Sequence, residues 1–191
     1  MRSANEVRIS VIGINGSPSK TDRCTKLLKE ALKQCKAEGA DIEMIRLDKI
    51  EKSLFRLGDV DKPPRKIKAL LEQVSDADAL ILASPVHWFG VSSLMKNFID
   101  HLSNLEARNF KLEGSVLGFI VTFREDGGMK AVSDMAGPLN HMGAIVPPYC
   151  TFFHNKRMAN KSEDKWMVKG HKLLAENVVR MARLTRETTW S

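Results

Sequence analysis

The stretch Val7–Leu28, VRISVIGINGSPSKTDRCTKLL, runs from an apolar segment through a Gly/Ser/Thr loop into an amphipathic one. Val7–Ile14 is short, apolar and β-branched, the composition of a strand buried on both faces. From Asp22 to about Glu38, Leu27, Leu28, Ala31, Leu32 and Cys35 recur on one helical face, and Gly39 supplies a stop. Strand, loop and helix in that order open a parallel α/β sheet. The loop then falls at the carboxyl end of a strand, where such sheets bind ligands.

The alternation continues along the chain. Ile42–Leu47 reads as a second strand, and Pro64–Ser75 as a helix with proline tolerated in its first turn. Ala79–Ala83, ALILA, is a third buried strand, stopped by Ser84-Pro85. Ser92 or Ser93 caps a helix carrying Leu94, Met95, Phe98, Ile99 and Leu102. Val116–Thr122 is the fourth strand and Gly127–Met142 the fourth helix, interrupted at Gly137-Pro138. Ala144–Val146 starts a fifth strand ended by Pro147-Pro148. A long loop, CTFFHNKRMANKSEDKW, has the character of a dimer arm or lid, and Asp164–Leu184 closes the chain as a helix with Leu173, Leu174, Val178, Met181 and Ala182 inward. Five strands alternating with five helices predict an α/β fold, a doubly wound parallel sheet in the order 2-1-3-4-5. The loops after strands 1, 3 and 4 should then converge at the switch point.

The chain has 191 residues, 43% hydrophobic and 28% charged, which suits one globular domain spanning 1–191. The N-terminal residues lack a basic, apolar, then small-residue leader pattern. The longest uncharged apolar run, Ser115–Phe123, is about half of a membrane span. A cytoplasmic protein without membrane contact is expected. Cys24, Cys35 and Cys150 have neither metal-ligand nor redox spacing, so no disulfide or metal centre is expected. The formal charge of +7 is dispersed rather than gathered in a tail or an Arg-rich helix. This reads as a solvated basic surface suited to anionic small molecules, not nucleic acid.

Three chemistries compete for the first loop. A Walker loop ends Gly-Lys-Ser/Thr; Lys20-Thr21 fits, yet Ser19 and Ile14 replace both required glycines. A small phosphatase needs a thiolate opening the loop, where Asn15 stands, and Cys24 comes at the far end without a matching Arg downstream. A phosphate monoester held without chemistry needs only backbone N–H groups and hydroxyls at a helix start. Ser17, Ser19, Thr21 and Thr25 supply the hydroxyls, Pro18 stiffens the loop, and Lys20 and Arg23 add charge.

After strand 3, Pro85-Val86-His87-Trp88-Phe89-Gly90 places aromatic rings where the chain turns toward solvent, a surface suited to stacking on a flat ligand. His87 has no evident carboxylate partner for base catalysis. After strand 4, Thr122 leads through Arg124 to paired glycines, Gly127-Gly128, which permit close backbone approach. A phosphate cradle, an aromatic platform and a glycine wall match the parts of flavin mononucleotide (FMN).

These segments resemble the NADPH-dependent FMN reductases of the flavodoxin-like superfamily, especially the branch containing iron–sulfur flavoproteins. The family motif Gly-Ser-Pro-Arg-x-x-Gly-Asn-Thr-x-x-Leu is similar to GSPSKTDRCTKLL from Gly16, which brings Cys24 into the phosphate-contacting set. Ser-Pro-Val-Tyr, with a later Lys-x-Phe-x-Asp-Arg, is similar to Ser84–His87 and Lys96–His101. Gly127-Gly128 matches a further Gly-Gly. The resemblance implies a flavodoxin-like sandwich, bound FMN, and hydride transfer from NAD(P)H to a quinone, flavin or similar small acceptor. It implies no catalytic side chain and no metal. Asp48–Arg65 lacks the cysteines that hold the cluster in the iron–sulfur branch. Arg124, Lys156 and Arg157 are the candidates for the extra phosphate of NADPH, and a homodimer or homotetramer is implied. The alternatives are a flavodoxin-fold electron carrier, which a pI near 9.4 disfavours, and a flavin-free binding protein.

Overall fold

The computed structural model describes residues 8–50, 54–108, 110–157 and 163–188. Val7, where the first strand was expected to begin, and residues 158–162 of the long loop lie outside them. The strands are β1 Ser10–Asn15, β2 Asp41–Arg46, β3 Ala79–Pro85, β4 Val116–Phe123 and β5 Thr151–Asn155. The helices are α1 Arg23–Ala37, α2 Arg65–Ser75, α3 Ser93–His101, α4 Ser103–Ala107, α5 Gly128–His141 and α6 Glu163–Thr185. All strands pair in parallel in the order β2-β1-β3-β4-β5. This is the doubly wound α/β sandwich expected from the alternation, in the flavodoxin-like form that the resemblance implies.

The sheet separates two apolar layers. On one face α1 and α6 pack Leu27, Leu28, Ala31 and Leu32 against Leu174, Val178 and Val179. On the other, Leu70, Leu71, Phe98, Met135 and Leu139 from α2, α3 and α5 cover Leu80, Leu82 and Phe119. Each such side chain contributes about 1.5–3 kcal/mol by leaving water. Gly13 lets α1 lie close to β1, since a Cβ there would stand 2.7 Å from a Leu32 methyl.

The register aligns the carboxyl ends. Asn15 is level with Arg46 and Ala83, and Pro85 with Thr122. The loops after β1, β3 and β4 therefore leave the sheet side by side.

The structure departs from several local expectations. Ala144–Val146 is not the fifth strand. Ile145 makes one bridge, to Val116, and Pro147-Pro148 then lacks the N–H groups to continue. Pairing with β4 resumes at Thr151, so Phe152 and Phe153 belong to an edge strand rather than to a long loop. α5 continues through Pro138 for a further turn, with the Met142 N–H bonded to the Pro138 carbonyl at 3.0 Å. Pro64 caps α2 from outside its first turn. Leu173 is exposed, one position away from the buried stripe of α6.

Candidate functional site

A chain of buried hydrogen bonds ties the first loop to the second. The Gly16 N–H donates to the Ala83 carbonyl at 2.8 Å, continuing the β1–β3 ladder. Ser92, the N-cap of α3, accepts from the Met95 N–H at 3.2 Å and donates its hydroxyl to the Gly16 carbonyl at 2.7 Å. Its own N–H donates to Ser84 Oγ at 2.9 Å. The Val86 N–H donates to the Thr122 carbonyl at 2.8 Å, bringing in the third loop. In sequence Ser84 reads as a strand stop and Ser92 as a cap; their joint role in the loops depends on tertiary contact.

The first loop folds around Asn15 and Asp22. Buried Asn15 accepts from the Ser17 N–H at 2.9 Å and donates to Thr25 Oγ1 at 3.0 Å. Thr25 Oγ1 donates to the Ser19 carbonyl at 2.7 Å. Asp22 caps α1: one carboxylate oxygen accepts from the Thr25 N–H at 2.9 Å and the other from Ser17 Oγ at 2.6 Å. Ser17 and Thr25 thus direct their hydroxyls into the loop itself. Ser19 is half-buried, and Lys20 and Thr21 face solvent.

Cys24 is fully buried under the first turn of α1. Burial, and next the Asp22 carboxylate, push its thiol up to about 12, while hydrogen bonding to Thr122 and the charge of Lys156 act more weakly in the other direction. Burial that favours the neutral thiol makes Cys24 a poor nucleophile, which argues against phosphatase chemistry at this loop.

Arg46, at the end of β2, was missed in the sequence. Its Nη1 donates to the Ser19 carbonyl at 3.4 Å and its Nε to Asp48 at 2.9 Å. Its Nη2 is buried with no hydrogen-bond partner among the described residues. Nothing local distinguishes it from other strand-end arginines; register alone brings it to the loop. A lysine, outward hydroxyls, an incompletely paired guanidinium and a helix start form a donor set that fits a phosphate monoester.

In the second loop, His87 and Gly90 exchange both backbone hydrogen bonds, at 3.0 and 3.1 Å. The residues between them, Trp88 and Phe89, hold φ of 47° and 65°. Positive φ at both central positions belongs to a tight hairpin turn that normally takes Asn-Gly. Here two aromatic residues adopt it, against a cost of about 1–2 kcal/mol each. Trp88 is 96% exposed and Phe89 57%. Strain combined with exposed rings marks a surface shaped for contact.

The third loop packs onto the second. Gly127 has φ of 89°, and a Cβ there would lie 2.7 Å from Phe89 Cα. Gly128 is pressed on the Phe123 ring. The paired glycines thus let one loop close on another. Phe89, Phe123, Asp126, Gly127 and Gly128 help line a cavity of about 610 Å³ at this edge, within the usual range of ligand pockets. Arg124, next to Phe123 in the chain, is exposed, Arg157 pairs with Glu125, and the Lys156 N–H donates to the Phe123 carbonyl at 2.8 Å.

Residues 9–158 match the family described as NADPH-dependent FMN reductase. The chain belongs to that family. An iron–sulfur flavoprotein of Archaeoglobus fulgidus is 29% identical over 155 residues, covering 73% of this chain and 66% of the relative. An iron–sulfur flavoprotein of Methanocaldococcus jannaschii is 32% identical over 129 residues, covering 64% and 66%. The match spans 66% of the length of each of these two relatives. Among solved structures, RosB with a bound 8-demethyl-8-formylriboflavin-5'-phosphate intermediate superposes with a TM-score of 0.78 at 20% identity, covering 95% of this chain and 82% of RosB. That likeness is one of fold. In this FMN reductase family member, no helix among the described residues is long and apolar enough to cross a membrane.

Proposed function

We propose that the chain binds FMN and passes hydride from NAD(P)H through it to a small acceptor such as a quinone or another flavin. The observation that carries this reading is the strained, exposed Trp88-Phe89 turn beside a hydroxyl-rich helix start, on one edge of the sheet. A phosphate tail and a flat ring system need those two surfaces together.

In this reading Ser19, Lys20 and Thr21 grip the phosphate, with Arg46 behind them. Ser17, Cys24 and Thr25 hold the loop in shape from below. Pro85–Gly90 offers the stacking surface, and Thr122, Gly127 and Gly128 fix the third loop against it. Bound FMN supplies the hydride-accepting and hydride-donating chemistry, so the chain needs to orient its ring and limit water rather than provide a nucleophile. Arg124 and Lys156 would meet the extra phosphate of NADPH, and Arg157, paired with Glu125, would act alongside them. Exposed Trp88 and Phe89 are suited to burial by a second copy of the chain, giving a homodimer or homotetramer with the flavin near the interface.

The test is anaerobic addition of NADPH, and separately NADH, to FMN-loaded protein. Bleaching of the flavin absorbance followed by recovery with a quinone is expected. A flavin that stays oxidised with both nucleotides would leave an electron carrier. Failure to take up FMN would overturn the reading.

A further inference from the structure

Away from the three loops, a cavity of about 200 Å³ lies between α2, α3 and the turn after β2. Leu47, Ile50, Leu54, Ile67, Leu70 and Phe98 give it apolar walls, and Ser93, Asn97 and His101 line it as well. His101 is 1% exposed, and neither of its ring nitrogens has a hydrogen-bond partner among the described residues. We propose that this cavity binds a small uncharged aromatic hydroxyl compound, a phenol or hydroquinone, with its hydroxyl on the His101 imidazole.

The size sets the first limit. An apolar cavity of roughly 150 Å³ admits benzene, so this one takes a single substituted ring. The walls set the second. Mostly aliphatic side chains favour an uncharged ring, since among the described residues only Ser93, Asn97 and His101 bring polar side chains to the lining.

The imidazole sets the third. Buried polar groups are as a rule hydrogen-bonded, and this ring meets none of its capacity among the described residues. A neutral imidazole presents one donor and one acceptor. A hydroxyl is complementary to either; a hydrocarbon answers neither, and a carboxylate only the donor. The ring is also fixed in place. Phe55 packs edge-on to it, with centroids 5.4 Å apart and planes at 87°, and the Phe55 N–H is itself held by Asn97 Oδ1 at 2.8 Å. An oriented imidazole with no partner among the described residues, in a mostly apolar cavity, is a recognition element for one polar atom on an aromatic ring.

The experiment uses the full chain with phenol and toluene as probes, binding measured by calorimetry. Wild type should prefer phenol over toluene by about tenfold, the worth of one net hydrogen bond. His101→Leu should keep toluene binding and lose the preference, and Leu70→Phe, which fills the chamber, should lose both ligands. Independently of any variant, the His101 ring nitrogen resonances in wild type should shift with phenol and not with toluene. Equal affinity for the two probes in wild type, a preference that survives His101→Leu, binding that survives Leu70→Phe, or ring resonances unmoved by phenol would each overturn the proposal. The last result would mean that water alone occupies the site.

Discussion

The Ser92 hydroxyl donates to the Gly16 carbonyl at 2.7 Å, joining loops 76 residues apart in the chain. Both residues are buried, and the same oxygen caps α3. Ser92→Ala removes the cap and leaves a buried carbonyl short of a partner. Destabilisation of about 2–4 kcal/mol is expected from the two losses. FMN affinity should fall by about tenfold as the first loop loosens. Urea unfolding and flavin fluorescence titration check the two effects separately.

Asp22 places a carboxylate within the loop proposed to grip a phosphate. Asn is an equally good N-cap, so Asp22→Asn keeps the bond to the Thr25 N–H while removing the charge. FMN binding should tighten by roughly threefold to tenfold at low salt, with the gain shrinking as salt rises. Titrations at two potassium chloride concentrations measure it. Weaker binding at both would mean that the charge serves the loop more than it opposes the ligand.

Trp88 and Phe89 occupy backbone conformations that glycine adopts without strain. Trp88→Gly and Phe89→Gly should each leave stability within about 1 kcal/mol of wild type, because relief of strain offsets the greater freedom of the unfolded chain. FMN binding should nevertheless weaken, by about tenfold for each ring lost from the stack. Thermal unfolding and titration together distinguish this from simple misfolding. Loss of stability without loss of binding would remove the platform role.

The Arg46 hydrogen bond holds the Asp48 carboxyl below its ordinary value. A depressed carboxylate stabilises the native state fully above the unfolded value, about pH 3.9, and that stabilisation is lost as pH falls through the lower native value. Wild type should therefore lose stability on acidification below about pH 4. Arg46→Met should raise the Asp48 pKa and flatten that part of the profile. Carboxyl carbon NMR and unfolding temperature against pH report the two.

Much of the fold was legible because it rests on local periodicity. ALILA and VRISVIGI carry the β-branched and aliphatic runs of buried strands, and α1 shows its apolar face in Leu27, Leu28 and Leu32. β5 was harder, since an edge strand has little apolar signature. Ile145 does make one bridge to Val116, and past the missing N–H groups of Pro147-Pro148 pairing resumes at Thr151. At the site, the hydroxyl-rich loop and the aromatic turn were visible as unusual composition. Arg46, Asp22 and the Ser84–Ser92 link were not, because their roles arise from register and from contacts between distant loops. The positive φ of Trp88 and Phe89 was equally hidden, since aromatic residues seldom take such a turn.

The central claim is that GSPSKTDRCT is a handle for a phosphate ester. Dissociation constants of FMN and riboflavin, measured on the same preparation, test it most directly. The ring systems are identical and only the phosphate differs. The expected result is FMN tighter by about a hundredfold or more, the worth of two charge-assisted hydrogen bonds, with most of that gap lost in Lys20→Ala combined with Thr21→Val. Equal affinity for the two flavins would contradict the claim.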